Sequence, residues 1–94
     1  MAVERRMPQR PLRTEGYSVE ELDGELLLFN AASANVIALN ETAALVWNLC
    51  DGSRTVEEIG ALIAAAYPES AAEIPGDVAE VVALFDRHGA LARG

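Results

Sequence analysis

The distribution of apolar and polar positions divides the chain into a β-patterned stretch and a helix-patterned stretch. Tyr17, Val19 and Leu22 are punctuated by Glu20 and Glu21, and Asp23-Gly24 follows, a strong two-residue hairpin signal. Residues 25–29 read as a second strand, because Leu26-Leu27-Leu28-Phe29 is apolar on both faces, as in a central strand. Residues 30–35 are polar or small and read as a second turn, and Val36-Ile37-Ala38-Leu39 is a short third strand. Two hairpins in succession predict an antiparallel meander with its third strand at an edge.

The period then changes to that of a helix. Asn40 is a favourable N-cap, and Ala43, Ala44, Val46, Trp47 and Cys50 recur at helical spacing up to Asp51-Gly52, where the glycine suits a left-handed cap. Thr55 and Glu58 have capping-box spacing, and Ile59, Leu62, Ile63 and Ala66 form the next apolar stripe, stopped by Pro68. Residues 69–72 connect, with room for a helical turn. Pro75, Gly76 and Asp77 open a third helix with Val78, Val81, Val82 and Phe85 inward, ending at Gly89 before Leu91 packs. The expected fold is α+β and winged-helix-like: a three-stranded antiparallel β-meander followed by three α-helices. Residues 1–16, rich in Arg and Pro and lacking apolar periodicity, are expected to form a flexible N-terminal tail, and residues 17–94 one folded domain.

Charge narrows the partners. The seven basic residues are all arginines, and Arg5, Arg6, Arg10 and Arg13 stand against Glu4 in the first thirteen positions, a balance of +3. Residues 14–94 carry three arginines against fourteen acids, a balance of −11, which repels a phosphate backbone and suits a cationic or apolar peptide. Acidity that simply keeps a small domain soluble is the plainer alternative. Cys50 and His88 are single, so one chain can build neither a disulfide nor a multi-ligand zinc site. The lone thiol fits a reducing cytoplasm, and no apolar run reaches the roughly 20 residues of a membrane span. There is no phosphate loop and no nucleophile elbow, so no catalytic residue, cofactor or metal is expected.

The ordered set Leu39-Asn40-Glu41-Thr42-Ala43-Ala44-Leu45-Val46-Trp47, then Cys50-Asp51-Gly52, then Thr55-Val56-Glu57-Glu58-Ile59 resembles the PqqD family, named for pyrroloquinoline quinone biosynthesis protein D. Asp77-Val78 with Val81, Val82, Phe85 and Gly89 extends the similarity over about residues 17–92. Trp47 and the Leu-Asn-Glu-Thr segment look more like the broader PqqD-like set than like the quinone-pathway members. The resemblance implies a non-catalytic adaptor that binds the leader segment of a ribosomally made precursor peptide. It would present that leader to a modifying enzyme, often a radical SAM protein, or to a protease or cyclase. It also implies that the leader adds antiparallel to the third strand and lies against the third helix. By position, this assigns peptide contacts to Val36, Ile37, Ala38 and Leu39 and to Asp77, Val81, Leu84, Phe85 and His88.

Around the third helix, Val78, Val81, Val82 and Phe85 fall on a core face at about 100° per residue, with Leu84, Asp77 and His88 on one flank. Leu84 is thus either a core margin or a wall of the leader groove. Trp47 reads as a core anchor and Cys50 as a packed thiol. Two rivals stay open. A winged-helix DNA-binding regulator would need a basic recognition helix, whereas residues 55–66 hold Glu57 and Glu58 and no Lys or Arg. A small acidic carrier or assembly subunit would need a modifiable serine, and Ser53 and Ser70 lack that context.

Overall fold

A computed structural model of the chain describes residues 9–92. The meander consists of β1 (Tyr17–Leu22), β2 (Glu25–Asn30) and β3 (Asn35–Leu39), in that spatial order and antiparallel throughout. Three helices follow, α1 (Glu41–Leu49), α2 (Val56–Ala66) and α3 (Ile74–Arg87). The α+β architecture expected from the pattern is the one observed.

Local chemistry accounts for the boundaries. Asp23 and Gly24 both take positive φ, 54° and 82°, the geometry of the two-residue turn whose twist matches the flanking strands. In the second hairpin the Asn30 Oδ1 accepts the N–H groups of Ala32 and Ser33, closing a local turn, and β2 and β3 each gain a terminal asparagine. At α1, Asn40 Oδ1 accepts the Ala43 N–H at 2.8 Å. The capping box of α2 is complete: Thr55 Oγ1 accepts from the Glu58 N–H and Glu58 returns the bond to the Thr55 N–H at 2.8 Å. Between α2 and α3 the expected turn is a single 3-10 turn, Pro68–Ser70.

Two features depart from the pattern reading. Helix α1 stops at Leu49 with Cys50 as its C-cap, ahead of the left-handed Gly52. The cause is tertiary: residues 50–52 are occupied by the segment before β1, with Arg13 N–H donating to the Cys50 carbonyl and Gly52 N–H to that of Pro11. That segment also bridges Leu91, and Thr14 and Ala92 exchange bonds with Ala90 and Leu12 across it. Among the described residues, backbone hydrogen bonding to the body thus already involves Pro11, inside the stretch the sequence assigns to a tail; residues 1–8, with Arg5 and Arg6, lie outside the described residues.

The core lies between one face of the sheet and the three helices. Leu28, Ile37 and Leu39 meet Val46, Trp47, Ile59, Ile63, Ile74, Val78, Val82 and Phe85, all buried. Trp47 is its aromatic centre, edge-on to Phe85 at 5.3 Å between ring centroids and tilted against Tyr17 at 6.1 Å. Among the described residues no helix covers the opposite face of the sheet, where Leu22 is 62% and Val36 54% exposed.

Candidate functional site

The free edge of β3 can be read out atom by atom. A two-residue turn makes Leu22 and Glu25 the hydrogen-bonded closing pair of the first hairpin, and such pairs alternate along an antiparallel ladder. The backbone groups of Glu25, Leu27 and Phe29 therefore point to β1, and those of Leu26, Leu28 and Asn30 point to β3. Their partners Leu39, Ile37 and Asn35 bond back to β2. Val36 and Ala38 are left aiming their N–H and C=O groups off the sheet. Side-chain direction separates the same residues: Ile37 and Leu39 are buried in the core, while Val36 and Ala38 lie on the helix-free face. The edge carries no charge and no proline, so nothing in it opposes an added strand.

Helix α3 presents a second surface. Val78, Val82 and Phe85 are fully buried, whereas Val81 and Leu84 are half-buried and line a shallow groove of about 430 Å³ with Glu80, Ala83 and Arg87. The flank expected from the helical wheel is therefore apolar at its centre. Phe85 is different. With 0% exposure and its ring against Trp47, its side chain is core, and it can only support the groove from beneath. Asp77 and His88 are both exposed but sit eleven residues apart, about 16 Å along the axis, so they do not form one cluster. His88 caps the helix, its N–H reaching the Leu84 carbonyl, while its own carbonyl accepts from the Tyr17 hydroxyl at 2.8 Å. That bond ties the end of α3 to the start of β1.

Tertiary structure also employs two arginines that sequence placed in the tail. Arg13 donates to the carbonyls of Trp47 and Asn48 at 2.9 and 3.0 Å and lies over the Trp47 ring, capping the C-terminus of α1. Arg10 donates to the Ser53 carbonyl and approaches Glu58 at 3.9 Å. No apolar periodicity marks these residues; the only signal was a run of arginines before helices short of C-terminal cations.

The titratable groups serve structure. Burial pushes the Cys50 thiol up to about 12, against the smaller opposing pull of Arg13, so it stays protonated and unreactive at neutral pH. Asp51 is held below the usual carboxylate range by the Ser53 hydroxyl and N–H that it accepts. Glu58 is lowered chiefly by the Thr55 N–H of the capping box. Among the described residues no three His, Cys, Asp or Glu side chains converge as a metal site would require, and no helix is long and apolar enough to cross a membrane.

Comparison with known proteins supplies the frame for this geometry. The family model described as coenzyme PQQ synthesis protein D (PqqD) matches residues 25–91. No curated protein matches the sequence. Among solved structures, TbiB1 in complex with the TbiA(beta) leader peptide is 17% identical, with a TM-score of 0.69 over 88% of this chain and 96% of that one. Lasso peptide synthetase B1 complexed with the leader peptide is 19% identical, with a TM-score of 0.71 over 89% of this chain and 99% of that one. At these identities the likeness is one of fold.

Proposed function

Because the chain belongs to the PqqD family, we propose that it binds the leader segment of a ribosomally made precursor peptide and presents it to a modifying enzyme. The leader adds as an antiparallel strand to the free edge of β3, and its side chains on one face reach the α3 groove at Val81 and Leu84. The observation that carries this reading is the outward aim of the Val36 and Ala38 backbone groups on an uncharged edge. Main-chain bonds supply sequence-blind affinity there, and the half-buried leucine and valine of α3 supply selection. A disordered leader is ordered on binding, at a cost of about 2–5 kcal/mol, so a few apolar anchors must decide affinity.

The chain acts as an adaptor and leaves chemistry to its partner, a radical SAM protein, a protease or a cyclase. Duplex binding fits poorly: α2 exposes Glu57 and Glu58, and Arg54 beside it is paired with Asp51 at 3.5 Å. The test is a two-dimensional NMR titration with a panel of leader peptides. Shifts concentrated in β3 and α3 are expected; shifts centred on α2 would overturn the assignment.

A further inference from the structure

A groove of about 700 Å³ opens where β3 runs into α1. Its floor is apolar, built from Leu26 and Leu39 of the sheet and Ala44 and Leu45 of the helix, and among the described residues its lining includes Glu25 and Glu41 and no cation. Glu41 is fixed at this margin by the Tyr67 hydroxyl, which donates to its Oε2 at 2.9 Å. The strands contribute no opposing charge either, since residues 17–39 hold Glu20, Glu21, Asp23 and Glu25 and no Lys or Arg.

The groove is continuous with the β3 edge, because Ala38, whose backbone points off the sheet, also lines it. An antiparallel strand paired with Val36 and Ala38 has its N-terminal end beyond Leu39. At about 3.3 Å per residue, the one to three residues preceding the paired segment run past Leu39 alongside Asn40 and Glu41, the margin of this groove nearest the edge. We propose that the groove is a second subsite for the same peptide, taking an apolar side chain one to three residues N-terminal to the paired segment and, beside it, a Lys or Arg received by Glu25 and Glu41. The subsite rests on the strand-addition reading and adds to it a direction and a residue class. Burial of a leucine-sized side chain here is worth roughly tenfold to a hundredfold in affinity. The partly exposed charge pairs contribute together about 2-fold to 30-fold.

A display library of random peptides, sorted on the full-length chain, tests this. Two variants are sorted in parallel: Val36→Pro removes an outward N–H away from the groove, and Glu25→Gln/Glu41→Gln neutralises the groove's carboxylates. Binders lost on Val36→Pro should carry an apolar residue next to a Lys or Arg, N-terminal to their strand-forming segment. Those peptides should weaken about 2-fold to 30-fold on Glu25→Gln/Glu41→Gln, with an equal loss when their own cation is replaced by Gln. If Val36→Pro-sensitive binders lack this pair, or ignore the double variant, the subsite is wrong and strand addition stands. If no binder is sensitive to Val36→Pro, strand addition itself fails and the subsite goes with it.

Discussion

Ala38→Pro separates binding at the β3 edge from the integrity of the sheet. The Ala38 N–H points away from β2, so proline removes no ladder bond, and the side chain it replaces is exposed. Ile37, the residue before it, is already in the extended conformation that a following proline demands. Folding stability should therefore change by no more than about 1 kcal/mol. Binding is another matter. One neutral hydrogen bond is worth about 0.5–1.5 kcal/mol, and the leader carbonyl left unpaired at the edge adds a desolvation cost of about 1–3 kcal/mol that partly overlaps it. A combined loss of about 1–3 kcal/mol is a fall in affinity of roughly 5-fold to 100-fold. Ile37→Pro is the contrasting variant: it breaks a bond to Leu28 and removes a buried side chain, so it should lower the melting temperature as well. Isothermal titration calorimetry with a binding leader gives affinity, and urea unfolding gives stability. Should Ala38→Pro bind within twofold of the parent while remaining folded, the leader does not pair with this edge.

Leu84→Glu places a charge in the half-buried α3 groove and should weaken leader binding more than it lowers stability, by titration calorimetry and urea unfolding on the same protein; equal losses would return Leu84 to the core margin. Trp47→Ala should cost about 3–5 kcal/mol, a large share of the stability of a domain this size, because the ring is buried between Tyr17 and Phe85; urea unfolding reads it directly. Thr55→Ala removes the α2 capping box and should cost about 0.5–2 kcal/mol in the same assay, leaving leader affinity intact. Cys50 predicts alkaline sensitivity. Below pH 9 both folded and unfolded chains keep the thiol protonated. Between the ordinary thiol value of 9.0 and its folded value of about 12, only the unfolded chain releases the proton. Stability should therefore fall as pH rises through that window, by up to about 1.4 kcal/mol per pH unit, and Cys50→Ala should flatten the slope.

Wherever the determining interaction is local, the sequence alone was enough. Asp23-Gly24 specified the turn, Asn40 and Thr55-x-x-Glu58 the helix starts, and the spacing of Val78, Val82 and Phe85 the buried face of α3, because each depends on contacts within a few residues. The edge position of β3 was also legible, since two tight hairpins leave a third strand one neighbour only. Three matters were decided by the tertiary structure. Which backbone groups of β3 face outward depends on the register of both hairpins together, and this selects Val36 and Ala38. The end of α1 at Leu49, and the use of Arg10 and Arg13, depend on a segment more than thirty residues distant in sequence that lies against residues 50–52. Spacing put Phe85 on the core face while the family resemblance also assigned it to the peptide, and Trp47, thirty-eight residues earlier and edge-on to its ring, shows what it meets. Periodicity reports which face of an element is apolar; only packing reports what that face meets.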